Sequence, residues 1–305
     1  MRLFDLHCDT LYECVTKNWS FRSHPGHVDG ERSDLFDVYG QVFAAWIPDS
    51  VRGEDAWRLC CALLDRAEDE EARSGGKLRI CRDTARLDPD EMRGHCTAVL
   101  SVEGGAAIGG HPERLRLLAE RGVKLMTITW NGENEWGYGS LSGDARGLKL
   151  FGKQAVRELE RCGIVPDVSH LNERGFWNVA ELCERPFAAT HSLSAAVHAH
   201  PRNLTDAQFR EMVRRGGLVG LCLAKEHLGE QTPEGLERHL EHFWSLGGEH
   251  TVALGGDMDG TALPEGFGGL RFWLQFYEYL LCKNYKESLL SALFFGNCTD
   301  FLRRL

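Results

Sequence analysis

Eight short apolar runs, rich in β-branched residues, alternate with longer amphipathic stretches from one end of the chain to the other. The runs cover residues 3–8, 41–47, 97–102, 124–130, 164–169, 187–190, 218–223 and 251–255. Among the intervening stretches, 148–162 is the clearest helix. Its apolar residues Leu148, Phe151, Ala155, Leu159 and Cys162 recur three or four apart, and Gly163 follows as a stop. A second helix starts at Thr205 with Gln208 three residues on, a capping-box pattern, and ends at Gly216-Gly217. Strand–helix alternation of this kind implies parallel strands joined by right-handed crossovers. Eight such units predict an α/β fold closed into a single (β/α)8 TIM-like barrel, with an open doubly wound sheet as the competing architecture. The alternation crosses the middle of the chain without a linker, so residues 1–305 are expected to form one domain. Residues 12–39 and 260–269 read as long loops after the first and last strands, and 54–73 as the solvated face of a helix.

Composition narrows the function. With 305 residues, 43% hydrophobic, eight Trp and fifteen Phe, the chain has ample apolar surface for a core and is not a disordered sequence. Its 45 acidic and 35 basic side chains give a net charge of −10, which argues against a nucleic-acid partner. No run approaches the roughly 20 apolar residues that a membrane span needs. At the N-terminus, MRLFDLHCDT meets Asp5 before an apolar signal region develops, so no signal peptide is expected. Eleven cysteines at irregular spacing then read as reduced, mostly buried thiols, and the expected location is the cytoplasm.

Five of the runs end in residue types that bind metals. The first runs into His7-Cys8-Asp9, the third into Glu103-Gly104-Gly105 and the fifth into Asp167-Val168-Ser169-His170. The sixth ends at His191 and the eighth runs into Asp257-Met258-Asp259. In a barrel the strand C-termini converge on one mouth, where active sites are built. On a strand, positions i and i+2 share a face, so His7 and Asp9 can reach one ion while Cys8 points away. Three imidazoles with at least two carboxylates suit a pair of Zn²⁺ ions or similar borderline metals. Taken singly, each residue also has a structural explanation. A strand-end His can be a hydrogen-bonded core residue, Glu103 can accept N–H bonds in a glycine turn, and Asp9 before Thr10 can cap a helix.

Taken together the motifs carry a resemblance. In order along the chain stand Asp5-Leu6-His7-Cys8-Asp9, Ser101-Val102-Glu103-Gly104-Gly105, Gly147-Leu148 through Phe151-Gly152, and Asp167-Val168-Ser169-His170. Ala189-Thr190-His191-Ser192, His200-Pro201-Arg202-Asn203-Leu204, Gly255-Gly256-Asp257-Met258-Asp259-Gly260 and Gly296-Asn297 complete the series. It resembles the membrane dipeptidase (renal dipeptidase) family of zinc peptidases, in its soluble bacterial branch. The resemblance implies a (β/α)8 barrel with two zinc ions: His7 and Asp9 on one, His170 and His191 on the other, and Glu103 bridging them. It further implies that Asp257 holds a bridging water or hydroxide and contacts the free amino group of a dipeptide. Asp257 would accept the proton and relay it to the leaving amine. Arg202 would clamp the C-terminal carboxylate, a role suited to a planar two-pronged guanidinium. Cleavage of small dipeptides, with tolerance for a C-terminal D-residue, and a homodimer are the implied activity and assembly.

One position departs from the pattern. Mammalian members carry a His after the fourth strand that polarises the scissile carbonyl, whereas this chain has Trp130. An indole offers one N–H and no positive charge. Loss of a comparable donor costs on the order of 2.7–4 kcal/mol in other enzymes. Trp130 therefore reads as a substrate-pocket wall, and two alternatives stay open: a metal-dependent hydrolase of another small amide or lactone, and a non-catalytic ligand-binding barrel. His24 and His27 are expected near the pocket mouth, His198 and His200 near Arg202, and Asp259 in the turn after the last strand. Phe272, Trp273, Phe276, Tyr277 and Tyr279 read as helix packing or a subunit interface.

Overall fold

Parallel pairing closes a ring of eight strands in the computed structural model, which describes all 305 residues. The strands are β1 (Arg2–Cys8), β2 (Val38–Trp46), β3 (Leu78–Ile80), β4 (Cys96–Glu103) and β5 (Val123–Thr127). They continue with β6 (Val165–Asp167), β7 (Ala188–Ala189), β8 (Leu218–Leu221) and β9 (Val252–Leu254). The ring runs β1-β2-β4-β5-β6-β7-β8-β9 and back to β1. All eight expected strands are therefore present, and the closed barrel, not the open sheet, is the architecture. β3 is the unexpected ninth strand. Its three residues, Leu-Arg-Ile, are too few to show a period, and they pair with β4 only at Cys96–Ala98. β5 takes up β4 from Leu100 onward.

Twelve α-helices accompany the strands. The first six are α1 (Thr10–Thr16), α2 (Gly30–Ser33), α3 (Gly53–Arg73), α4 (Arg114–Glu120), α5 (Leu150–Arg161) and α6 (Glu173–Leu182). The remainder are α7 (Asp206–Arg215), α8 (Lys225–Leu228), α9 (Pro233–Ser245), α10 (Leu270–Cys282), α11 (Glu287–Ser291) and α12 (Asn297–Leu302). At α7 the Thr205 side chain accepts the Gln208 N–H and the Gln208 side chain answers it, as the sequence pattern implies. Gly216 ends that helix at φ 65°, a left-handed conformation that suits glycine. The stretch 12–39, expected as a loop, instead contains the end of α1, all of α2 and the start of β2. Asp29 caps α2 by accepting the Arg32 N–H, which makes one short turn in a segment too polar to show an apolar stripe.

Two apolar layers follow from strand alternation. One buried cluster draws on every ring strand: Phe4 and Leu6, Val38 and Val42, Val99, Leu125, Val165, Ala188, Leu218 and Ala253. These fill the lumen, and Phe295, Phe301 and Leu302 from the C-terminal helices close its lower end. The larger cluster joins the outward faces, such as Phe43, Leu100 and Leu221, to the surrounding helices. Gly40 is required in the lumen, since a Cβ there would lie 2.4 Å from the Phe4 ring. With the lower lumen packed solid, polar residues are left to the upper rim.

Candidate metal centre and active site

The placement of the first candidate ligand pair depends on a bulge. Leu3, Phe4 and Asp5 of β1 stand opposite Tyr39, Gly40 and Gln41, but the next partner of Phe43 is Cys8. One extra residue thus lies between Asp5 and Cys8, which reverses the facing of everything beyond it. Leu6 packs in the lumen, Cys8 joins the outer cluster, and His7 and Asp9 turn inward at the rim. Asp5 holds the bulge together. Its buried carboxylate accepts the backbone N–H of His7 at 3.0 Å, that of Gly256 at 3.1 Å and Nε1 of Trp273 at 2.7 Å. Asp9 stands at the start of α1 but makes no side-chain cap, so its carboxylate is left for another partner.

A second buried carboxylate organises the opposite wall. Asp167 accepts Oγ1 of Thr127 at 2.6 Å, Oγ1 of Thr190 at 2.7 Å, and the N–H groups of Ser169 and Thr190 at 3.0 Å. Because Thr190 gives its only proton to Asp167, its contact with Nδ1 of His191 at 2.9 Å is one in which the ring donates. That fixes the lone pair of His191 on Nε2. His170 has Nδ1 2.8 Å from Oδ1 of Asn131, which likewise leaves Nε2 facing inward. His170 and Asp257 hold φ of 67° and 53°, left-handed conformations that cost non-glycine residues stability and concentrate at functional sites.

Glu103, at the end of β4, stands between the two walls. Its Oε2 lies 3.5 Å from Nε2 of His7, while its Oε1 lies 2.9 Å from Nε2 of His170 and 3.6 Å from Nε2 of His191. Nε2 of His7 is 3.5 Å from Asp9 Oδ2 and 4.0 Å from Asp257 Oδ1. Three overlapping sets bring ligand atoms within 4.8 Å of one another: His7, Asp9 and Glu103; Glu103, His170 and His191; His7, His191 and Asp257. All six residues are buried.

The set fits divalent cations. Nε2 of His7 and Oδ1 of Asp9 are buried without any hydrogen-bond partner. Nε2 of His170 and Nε2 of His191 stand 2.8 Å apart with both lone pairs inward, a repulsive arrangement unless a cation lies between them and Glu103. The carboxylates make the cluster a place that holds positive charge. Burial disfavours the charged His7 ring, yet Glu103 and Asp9 outweigh it and hold the group well above its ordinary value. Burial and then Glu103 push Asp9 up to about 6. Burial, followed by Arg202, drops His170 to about 4, favouring the neutral ring that a metal requires.

One cavity opens onto the cluster, and another surrounds Arg202. The first, about 380 Å³, is lined by Asp9, Glu103, His170 and Asp257, with Trp46 and Trp130 among its aromatic walls. Trp130 packs edge-on against Trp46 at 5.0 Å and lies 6.2 Å from the His170 ring, so it is a wall of the metal pocket. The second cavity, about 280 Å³, contains Arg202, Ser140, Ser192 and Asn203. Arg202 is only 4% exposed. Its Nη2 donates to the carbonyl of His191 at 3.2 Å and its Nε has no partner. His7, Asp9, Glu103, His170, His191, Asp257 and Trp130 thus meet at one rim, while Arg202 lines a separate cavity and reaches the cluster through the carbonyl of His191. Asp259 does more than close a turn: it accepts Oγ1 of Thr10 at 2.7 Å and the His27 N–H at 2.6 Å, tying the first long loop to the last.

Several residues of the site have roles that the motifs alone do not reveal. Asn131, Thr127 and Thr190 act by orienting ligands, and Asp5 acts through a bulge. Only the adjacency of Asp5 to His7 and of Asp167 to His170 hints at them. Gly260 is a further one: a Cβ there would meet Asp9 Oδ2 at 1.8 Å.

Comparison with known proteins agrees with this geometry. The model of the membrane dipeptidase family (peptidase family M19) matches residues 1–304. The uncharacterized protein in the pqqA 5'region of Klebsiella pneumoniae is 30% identical over 247 residues, covering 77% of this chain and 91% of that one. Among solved structures, a metallopeptidase from Rhodobacter sphaeroides, liganded with a phosphinate mimic of the dipeptide L-Ala-D-Ala, superposes with a TM-score of 0.92 at 27% identity. That match covers 100% of this chain and 99% of the other. Dipeptidase AC, a metallopeptidase of family M19, gives 0.92 at 28% identity, covering 100% and 98%. No helix of this chain is long and apolar enough to cross a membrane. The chain belongs to the membrane dipeptidase family of metallopeptidases.

Proposed function

We propose that the protein is a zinc-dependent dipeptidase built as one barrel domain over residues 1–305. His7 and Asp9 would hold one zinc ion and His170 and His191 a second, with Glu103 shared between the two pairs. The observation that carries this reading is the division of Glu103, one oxygen toward His7 and the other toward His170. When bound, the ions supply Lewis acidity at the scissile carbonyl and bring the pKa of a water toward ~7. The chain's own residues do the rest. Asp257 accepts a proton from the attacking water and delivers it to the leaving nitrogen as the C–N bond breaks. Arg202 binds the carboxylate at the other end of the substrate, and its burial without an acidic partner leaves it in need of an anion. Trp130 forms a wall of the metal pocket. Anchors for both termini restrict the site to small dipeptides, and a phosphinate mimic of L-Ala-D-Ala in the Rhodobacter relative supports tolerance of a D-residue at the C-terminal position. The same reading places the protein in the cytoplasm as a homodimer; all eleven cysteines are free, as a reducing compartment requires.

The test is to purify the protein, measure its metal content, and assay L–L and L–D dipeptides with and without chelator. About two zinc ions per chain and chelator-sensitive cleavage are the expected result. Absence of turnover on any dipeptide by a metal-loaded sample overturns it. The packing of Trp130 against Trp46 supports a second reading, hydrolysis of another small amide or a lactone, because an indole in place of a histidine reshapes the carbonyl pocket.

A further inference from the structure

The cavity that opens onto the metal cluster is lined by more than the reaction uses. An aromatic row forms one of its walls. Tyr12 meets Trp46 edge-on with ring centroids 4.6 Å apart, and Trp46 meets Trp130 in the same way at 5.0 Å. All three line the cavity and are only half-buried, so ring surface stays open to whatever enters. Aromatic faces attract a cation within about 6 Å, and flat rings also cover the methylene stem of a long basic side chain.

The charge of the same cavity has one sign. Its ionisable lining includes Asp9, Glu13, Glu103, Glu226, Asp257 and Asp259, and no lysine or arginine. Burial, and then Arg202, pushes His227 down to about 2, so that histidine adds no positive charge. Most of the carboxylates already have a task. Asp9, Glu103 and Asp257 belong to the cluster, and Asp259 accepts from Thr10 and His27. Glu13, which follows Tyr12 on α1, pairs with Lys17 one turn on. Glu226 of α8 is exposed and has neither a hydrogen bond nor an ion pair. It is the carboxylate of this lining left free to meet a ligand.

We propose that this cavity selects dipeptides whose N-terminal residue carries a cationic side chain, lysine or arginine. The stem lies along Tyr12, Trp46 and Trp130, and the charged head reaches Glu226. The proposal rests on the dipeptidase reading, which puts the free amine at Asp257, inside the cavity, and the C-terminal carboxylate at Arg202, outside it. The N-terminal residue is therefore the half of the substrate that shares the space with the aromatic wall. An uncharged alkyl chain keeps the stem contact and loses the rest, while an acidic side chain is repelled by Glu226. The contact is made equally before and during bond breaking, so it acts on KM.

The test compares L-lysyl-alanine with L-norleucyl-alanine, which differ by the terminal ammonium, on the metal-loaded protein, each with L- or D-alanine. The lysine dipeptide is expected to have a kcat/KM higher by about fivefold or more, mostly through KM. Glu226→Gln is expected to lower that ratio severalfold, and added salt to weaken it. A ratio at or below one overturns the subsite and leaves the dipeptidase reading intact. A ratio that Glu226→Gln leaves unchanged overturns the assignment to Glu226. An equal or larger preference for alanyl-lysine over alanyl-norleucine overturns the placement of the N-terminal residue. If no dipeptide is hydrolysed, the dipeptidase reading fails, and calorimetric titration of the first pair into the metal-loaded protein decides the subsite. Tighter binding of the lysine dipeptide supports it, and equal or absent binding overturns it.

Discussion

Thr190 stands between Asp167 and His191 as a one-proton link: it donates to Oδ2 of Asp167 at 2.7 Å and accepts from Nδ1 of His191 at 2.9 Å. The tautomer of a proposed ligand is thereby set by a neighbouring hydroxyl. Thr190→Val keeps the shape and removes the link, freeing the ring to carry its proton on Nε2. Metal affinity is expected to fall by about 10–100-fold, measured by competition with a chromophoric chelator. Thr190→Ser restores the hydroxyl and is expected to recover most of it. An unchanged affinity in the valine variant would show that the ring is held by packing alone.

Metal removal should also reach stability. The inward lone pairs of His170 and His191, 2.8 Å apart, and the unpartnered Asp9 Oδ1 and His7 Nε2 are relieved by cations. A ligand at 100 times its Kd stabilises the folded state by about 2.7 kcal/mol. Chelator is therefore expected to lower Tm by about 5 °C or more, with recovery on adding zinc. Calorimetric scans with and without chelator check this, and identical curves would argue against a tight metal site.

Trp130 decides between the two functional readings. Packed at 5.0 Å from Trp46 and 6.2 Å from His170, it shapes the wall opposite the metal ligands. In a working dipeptidase site, Trp130→His opens a gap in that wall and is expected to lower dipeptide kcat/KM by about tenfold. A gain of similar size would mean that the native substrate is another amide or a lactone.

Acid stability has a separate origin, on the outer helices. Hydrogen bonds from Arg214, and then Arg215, lower Glu211 from an ordinary 4.5 to about 2. Arg215 also donates to the carbonyl of Cys183 at 2.8 Å, tying α7 to the end of α6. A carboxylate depressed in the folded state contributes stability that is present above its unfolded value and lost as pH falls through its folded one. Glu211→Gln should thus lower stability by about 1 kcal/mol above pH ~5, since exposed pairs keep little of such a shift. The difference should vanish as the pH falls toward about 2, and urea melts at pH 7 and pH 2.5 measure it.

The ring of strands and the candidate ligands at its rim were legible in the sequence because both are local. Each strand is a short β-branched run, and the ligands sit where those runs stop. What was not legible depends on pairing. The bulge that turns His7 inward exists only as a mismatch between β1 and β2, since Asp5 faces Gln41 and Cys8 faces Phe43. Strict alternation from Phe4 and Leu6 would have put His7 on the outside. The left-handed backbone of His170 and Asp257 has no composition signal, because neither residue is glycine. β3 went unseen because three residues establish no period, and Asp167 read as one more strand-end carboxylate although its four hydrogen bonds are spent on holding others.

Arg202 supplies the sharpest test of substrate orientation. The side chain is 4% exposed, pairs with no carboxylate, and uses one nitrogen on the carbonyl of His191. Burial lowers its pKa from the usual arginine value, so the charge is held at a cost that a substrate carboxylate would offset. Arg202→Lys keeps the charge but loses the fork that matches a carboxylate. Arg202→Met loses both. Dipeptide kcat/KM is expected to fall by about tenfold in the lysine variant and by about a hundredfold or more in the methionine variant. In both variants most of the loss should appear in KM, because the carboxylate is gripped equally before and during bond breaking. Dipeptide amides, which carry no C-terminal charge, should be cleaved poorly by the native protein and little worse by Arg202→Met. If the amides lose as much as the free dipeptides, the guanidinium serves the metal wall through His191 and the substrate lies the other way round.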